Sequence, residues 1–205
     1  MFRFRTIHPL LVAALLLLPL PATAIDASAV DSCFHTPSGL YVTPVEAYRM
    51  KLGEPQHVLL VDVRTRAEVQ YVGFTEFADA NIPLMFQPGS YAWQADSKDP
   101  AIGNFRKARN PDFVKAVDRL VESRGLDRDA PVIVMCAAGK RSTAAAKALH
   151  AAGYTRVYNL YEGFEGFKAT EGHFKGQRVV NGWKNSALPW GYRLPKSKMY
   201  FNFAP

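Results

Sequence analysis

The sequence predicts an α/β layer fold with a mainly parallel central sheet. Three observations predict it. Residues 57–63 (HVLLVDV), 131–135 (PVIVM) and 156–160 (RVYNL) are short, nearly continuous apolar and β-branched runs, the pattern of strands buried on both faces. Helical patterns alternate with these runs, and such alternation implies right-handed crossovers between parallel strands. The composition fits a globular protein: 48% of the 205 residues are hydrophobic and 21% charged, which excludes disorder, collagen and a disulfide scaffold.

Each element has its own local signal. Arg3 and Arg5 precede an apolar stretch from Pro9 to Leu20, and Ala22-Thr23-Ala24 follows as a small-x-small site. This series reads as a secretory signal peptide over residues 1–24, cleaved after Ala24. The apolar stretch is shorter than the roughly 20 residues of a bilayer span, so we expect no stable membrane anchor. No Asn-x-Ser/Thr sequon occurs, and we expect a bacterial periplasm as the location. Residues 25–38 are small and polar and read as a flexible leader. Thr43-Pro44-Val45-Glu46 carries an N-cap, a proline at the first helical position and a capping-box glutamate, so a helix should run to about Leu52. Thr65–Tyr71 predicts a short helix and Ala80–Leu84 a short strand. Residues 85–109, rich in Gly, Pro and aromatics, exceed an ordinary connection and read as a surface insertion. Asn110-Pro111 opens a helix with Phe113, Val114, Val117, Leu120 and Val121 at helical spacing, and Gly125 stops it. The Ala-rich stretch Arg141–Ala152, stopped by Gly153, is the next helix.

In open α/β sheets ligands sit at the carboxyl ends of strands, which directs attention to Cys136-Ala137-Ala138-Gly139-Lys140-Arg141-Ser142. The segment leaves a buried strand and enters a helix. Successive N–H groups can converge there on an anion, the helix N-terminus adds partial positive charge, and Gly139 permits a tight turn. Lys140 and Arg141 add two full charges, so we expect Cys136 to be a low-pKa nucleophile at the mouth of an anion pocket rather than an inert core thiol. Ser142 reads as the cap of the following helix.

The ordered set of motifs resembles the rhodanese-like (sulfurtransferase) domain family. Leu60-Val61-Asp62-Val63-Arg64 with Glu68 is similar to its D-x-R…E element, and Gly73 and Ala80-Asn81-Ile82-Pro83 to the glycine and strand that follow. Cys136–Ser142 is similar to its C-x-x-G-x-R-S loop, Asn159-Leu160 through Glu162-Gly163 to its next strand and turn, and Trp183 with Ala187-Leu188-Pro189 to its closing W…G-L-P. The resemblance covers residues 39–190, with 39–192 as the domain and 193–205 as a basic and aromatic tail. Gly73–Ala78 departs from the family's G-H-I-P-G-A, and residues 85–109 and 167–182 look like insertions. The resemblance implies a rhodanese-like three-layer fold, its mainly parallel central sheet flanked by helices. It also implies sulfur transfer without a cofactor. Cys136 would carry a persulfide taken from a small anionic donor such as thiosulfate and pass it to a thiol or cyanide. Ala137 through Ser142 would bind the donor, with Lys140 and Arg141 supplying charge.

Asp62 and Arg64, at the end of the central strand, read either as braces of the catalytic loop or as a surface ion pair of little worth, and we expect bracing. Alternatives to sulfur transfer are a non-catalytic binding or regulatory module and an arsenate- or phosphate-type oxyanion enzyme. The longer C-x-x-x-x-x-R loop of the latter is absent here. There is no C-x-x-C, which argues against a dithiol redox protein. Cys33 is read as a bystander, with a disulfide to Cys136 as the other reading. His35, His57, His150 and His173 lack metal-ligand spacing, so no metal site is expected. Despite a net charge of +7, the basic residues form no dense run, and we expect no nucleic-acid partner. Six of them (Lys175, Arg178, Lys184, Arg193, Lys196, Lys198) fall in residues 172–205 with no acid among them, a stretch suited to an acidic periplasmic partner protein or simply to a solvated tail.

Overall fold

The computed structural model describes residues 25–87 and 92–201; the signal peptide read over residues 1–24, with its cleavage site, lies outside the described residues. The central sheet has five parallel strands in the order β1-β9-β8-β2-β3: β1 (Leu40–Val42), β2 (Leu59–Asp62), β3 (Ala80–Asn81), β8 (Val132–Met135) and β9 (Val157–Leu160). Among the described residues four α-helices accompany it: α1 (Pro44–Gly53), α2 (Arg66–Tyr71), α3 (Phe113–Ser123) and α4 (Lys140–Ala151). The fold is therefore α/β with a parallel central sheet, as the alternating pattern requires.

The near-continuous apolar runs follow from burial on both faces. Leu59, Val61, Val63, Val132, Val134 and Cys136 pack against α3 and α4 residues such as Val117, Val121, Ala146 and Leu149. Leu60, Ile133 and Met135 point the other way, onto Val42, Ala47, Val69, Phe164 and the fully buried Trp183. The strand period of two thus splits each run between two cores. Cys136 continues the alternation of β8 and faces α4. Both Thr-x-x-Glu patterns form capping boxes: Thr43 with Glu46 starts α1, and Thr65 with Glu68 starts α2.

Three stretches differ from the sequence reading. Residues 85–109 are not bare loop: β4 (Met85–Phe86) pairs antiparallel with β7 (Ala108–Arg109), and β5 (Trp93–Ala95) pairs with β6 (Gly103–Phe105). The second stretch read as an insertion also folds, as β10 (Phe167–Lys168) against β11 (Arg178–Val180). Residues 25–38 are not loose. They form two 3₁₀ turns, Ala27–Ala29 and Ser32–Phe34, and bury Val30 and Phe34 beside Tyr41, Tyr161 and Phe167. Small polar residues hid two apolar anchors there. At the other end, Tyr200 is buried, its N–H donates to Asn81 O, and its carbonyl accepts from the Arg66 guanidinium, so the tail runs along the β3 edge.

Candidate active site

Cys136 stands just past the end of β8, and α4 begins at Lys140. The loop between them is shaped by its outward carbonyls. Cys136 O accepts from the Phe164 N–H (2.7 Å), and Ala137 O accepts from the N–H groups of Glu165 and Gly166. In a trans peptide C=O and N–H point in opposite directions, so these bonds turn the Ala137 and Ala138 N–H groups to the inner side of the loop. Among the described residues no acceptor takes the N–H of Ala137, Ala138, Gly139, Arg141 or Ser142. Backbone donors left in this way are the makings of an anion cradle.

Two glycines make the cradle possible. Gly139 has φ +83°, and a Cβ there would stand 2.3 Å from Tyr161 O and 2.8 Å from the Phe34 ring. Gly163 lies so close to the loop that its Cβ would come within 2.5 Å of Cys136 O. The outer side of the loop is thus pressed between Phe34 and the 161–166 turn. Thr143 Oγ1 reaches both Gly139 O and Phe34 O, and Asn159 Nδ2 donates to Thr143 Oγ1 (2.9 Å), tying the N-terminal segment, the loop and β9 together.

Cys136 is almost wholly buried, Ala137 and Gly139 are buried, Ala138 is half-buried and Lys140 is exposed at the loop's end. Two side chains act differently from their sequence reading. Ser142 is not the helix cap. It lies within α4, whose N-cap is Gly139, and its hydroxyl lies 2.8 Å from Gly139 O and 3.5 Å from Cys136 Sγ. One hydroxyl proton serves either acceptor, so Ser142 can donate to the sulfur when it carries negative charge. Arg141 is not a free donor-binding cation. Its guanidinium grips the Glu68 carboxylate with both ends, Nη1 to Oε2 at 2.6 Å and Nη2 to Oε1. Burial alone would raise the Glu68 pKa, but Arg141 and the Thr65 contacts outweigh it and hold the carboxyl down at about 2. Burial likewise works against the Arg141 charge, and Glu68 outweighs it, raising the Arg141 pKa. Glu68 also accepts from the Thr65 N–H and hydroxyl, so one carboxylate joins the start of α2 to the start of α4. Its loop-holding role is not visible in the sequence, because its partner lies 73 residues away.

Asp62 and Arg64 are not a surface pair. Both side chains are fully buried, joined by Nη2–Oδ2 at 2.6 Å and by Nε to both carboxylate oxygens. Arg64 Nη2 also donates to Gly73 O (2.8 Å). The guanidinium lies 3.8 Å from the centroid of the Phe164 ring, and Phe164 is the residue whose N–H holds Cys136 O. Asp62 and Arg64 therefore reach the loop through Phe164.

Cys33 is exposed, Cys136 is buried, and both thiols are free. The Cys33 pKa is raised, first by desolvation and then by its hydrogen bond with Asp31. Among the described residues no group of three or more His, Cys, Asp or Glu is placed to hold a metal, and no helix is long and apolar enough to cross a membrane.

A cleft of about 920 Å³ is lined by Lys140, Arg141 and Ala144 of α4 together with residues of β4 to β7 such as Met85, Gln94, Asn104 and Arg109. Cys136, almost wholly buried, is not among the residues that line it.

Several known proteins are similar to the chain. An uncharacterized protein of Rickettsia rickettsii, the RP600 homolog, is 29% identical over 151 residues, covering 74% of this chain and 96% of the relative. The thiosulfate sulfurtransferase GlpE of Pseudomonas fluorescens is 39% identical over 75 residues, 37% of this chain and 66% of that protein. Among solved structures, Rv0390 of M. tuberculosis is 29% identical with a TM-score of 0.49, covering 74% of this chain and 96% of that one. The profile of the rhodanese-like domain matches residues 43–170, from the N-cap of α1 to just beyond β10. With most of the sheet and the whole Cys136 loop inside that match, the chain belongs to the rhodanese-like domain family.

Proposed function

We propose that this protein is a sulfurtransferase that works through a Cys136 persulfide in the bacterial periplasm, after removal of residues 1–24. The observation that carries the reading is a thiol at the carboxyl end of a central strand beside a loop whose N–H groups lack internal acceptors. The family includes sulfurtransferases, and the GlpE relative is named for thiosulfate, which we take as the model donor.

The Cys136 thiolate attacks the outer sulfur of thiosulfate. A Cys136 Sγ–S bond forms, the sulfur–sulfur bond of the donor breaks, and its electron pair leaves with sulfite, so the charge of the thiolate passes to the terminal persulfide sulfur. The free N–H groups of the loop and the positive end of α4 stabilise negative charge on the sulfur and on the departing sulfite, and Ser142 Oγ stands in reach of Sγ. An acceptor thiol or cyanide then takes the terminal sulfur and Cys136 returns to the thiolate. Arg141 acts here as a positioning residue through Glu68, and Lys140 is the exposed cation of the loop.

A thiosulfate:cyanide assay on the chain from Ile25 onward, with 3-mercaptopyruvate in parallel, tests the reading. Thiocyanate formation that disappears in Cys136→Ser is the expected result. No turnover with either donor would leave a rhodanese-like binding module as the better description.

A further inference from the structure

We infer that Phe34 is a positioning residue of the catalytic loop: its ring holds Gly139 in the positive-φ conformation that keeps the loop N–H groups turned to an anion. The inference deepens the sulfurtransferase reading, on which it rests for the identity of that anion. It adds a residue that lies before the 43–170 family match and on which the site depends.

Gly139 is the N-cap of α4 and has φ +83°. A glycine takes positive and negative φ about equally well, so residue 139 does not fix that value by itself. Each peptide group is planar, so a rotation at 139 swings the groups on both sides of it. The N–H groups that the loop offers to an anion would swing with them. The conformation is therefore set by what packs on Gly139. The nearest groups are Tyr161 O and the Phe34 ring: a Cβ at 139 would stand 2.3 Å from the first and 2.8 Å from Cδ1 and Cε1 of the second. The Phe34 ring also packs edge-on against the Tyr161 ring, with centroids 5.0 Å apart. It thus makes one of the two contacts and backs the residue that makes the other.

Phe34 is itself fixed. Its side chain is buried with Val30 and Tyr41, and Tyr161 and Phe167 pack on that cluster. It closes a 3₁₀ turn whose N-cap, Asp31, accepts from the Cys33 N–H. Its carbonyl lies 3.3 Å from Thr143 Oγ1 and accepts from Asn159 Nδ2 at 3.4 Å. Thr143 stands in the first turn of α4, and its N–H donates to Gly139 O at 2.9 Å. Ring and carbonyl of Phe34 therefore bear on the same residue, Gly139, from two directions. The sulfur is affected through that residue as well. Ser142 Oγ lies 2.8 Å from Gly139 O and 3.5 Å from Cys136 Sγ, so a shift of Gly139 changes which hydroxyl contact the sulfur keeps.

Alkylation of Cys136 tests this without any sulfur donor. Iodoacetate and iodoacetamide lose iodide to the same thiolate, and only iodoacetate is an anion. The ratio of their rate constants, divided by the same ratio for glutathione, reads the anion site and cancels the thiolate fraction. The parent protein is Cys33→Ser, so that Cys136 alone reacts, and ionic strength is held fixed. We expect the parent to favour iodoacetate. Phe34→Ala should lose at least about tenfold of that ratio, the worth of one hydrogen bond to a charged group. Phe34→Leu keeps part of the contact and should fall between the two. If thermal melts show Phe34→Ala unfolded, Phe34→Leu decides alone. Val58 is buried just before β2, at the end of the parallel sheet away from Cys136. Val58→Ala loses stability without touching the loop and should leave the ratio unchanged. An unchanged ratio in the folded Phe34 variants, an equal loss in Val58→Ala, or a parent that shows no preference for iodoacetate or no alkylation would overturn the inference. A ratio that falls as expected in a protein that takes sulfur from no donor would leave Phe34 in its role and remove the sulfurtransferase reading.

Discussion

Glu68→Gln tests the tie between α2 and the catalytic loop. The substitution keeps size and the Thr65 contacts but removes the charge that Arg141 grips. The Glu68 pKa near 2 lies well below the ordinary 4.5. At about 1.4 kcal/mol per unit this corresponds to roughly 3 kcal/mol. Both side chains are about one-fifth exposed, so solvent screening trims the figure to about 2 kcal/mol at pH 7. The sign follows from linkage. A carboxyl whose pKa is lowered by folding contributes its full stability above the unfolded pKa and loses it as pH falls through the folded value. The difference between wild type and Glu68→Gln should therefore be full above about pH 5 and shrink to near zero approaching pH 2. With a urea m-value of about 2 kcal/mol per molar, the midpoint at pH 7 should drop by about 1 M. Urea titrations of both proteins at pH 7, 5, 4 and 3 read this directly. A difference of the same size at pH 3 and pH 7, or none at pH 7, would refute the assignment of Glu68 as the charged anchor of Arg141.

Three further outcomes follow from the packing. Gly139→Ala places a Cβ against Tyr161 O at a left-handed backbone position, so thermal unfolding should show a loss of at least about 2 kcal/mol, with sulfur transfer falling further as the loop shifts. Phe34→Ala empties the contact with Tyr161 and Phe167 and should cost about 3 kcal/mol and expose residues 25–38 to limited proteolysis; unchanged protease resistance would contradict the anchoring role. Cys33→Ser should leave sulfur transfer unchanged with or without reductant, because Cys33 is exposed and its raised pKa keeps it protonated; a reductant requirement in wild type that vanishes in the variant would show a disulfide instead.

What can be read from the sequence is local. The buried strands are legible because a short continuous β-branched run suits a strand covered on both faces and little else. The capping box of α1 is legible because Thr43 and Glu46, three apart, meet within one turn; the matching box at Thr65 and Glu68 appears only in the structure. The position of Cys136 before a glycine and a helix also needs only neighbours in the chain. What stays hidden depends on distant partners. Val30 and Phe34 have no periodicity of their own and are buried by Tyr41, Tyr161 and Phe167. Arg141 carries the same charge whether free or clamped, and only the fold brings Glu68 to it. Ser142 misleads by its residue type: serine favours caps, but the N-cap of α4 is Gly139, and the serine falls inside the helix and near the sulfur. Asp62 and Arg64 sit two apart, but their complete burial and the Phe164 stack are tertiary facts.

That Cys136 carries sulfur is tested most directly by intact-mass spectrometry. The chain from Ile25 onward is incubated with thiosulfate, freed of small molecules and weighed beside Cys136→Ser. Wild type should gain one sulfur atom, about 32 Da, that returns to the starting mass on addition of cyanide, and Cys136→Ser should gain nothing. No added mass on wild type with thiosulfate, 3-mercaptopyruvate or a persulfide donor, or the same gain on Cys136→Ser, would contradict it.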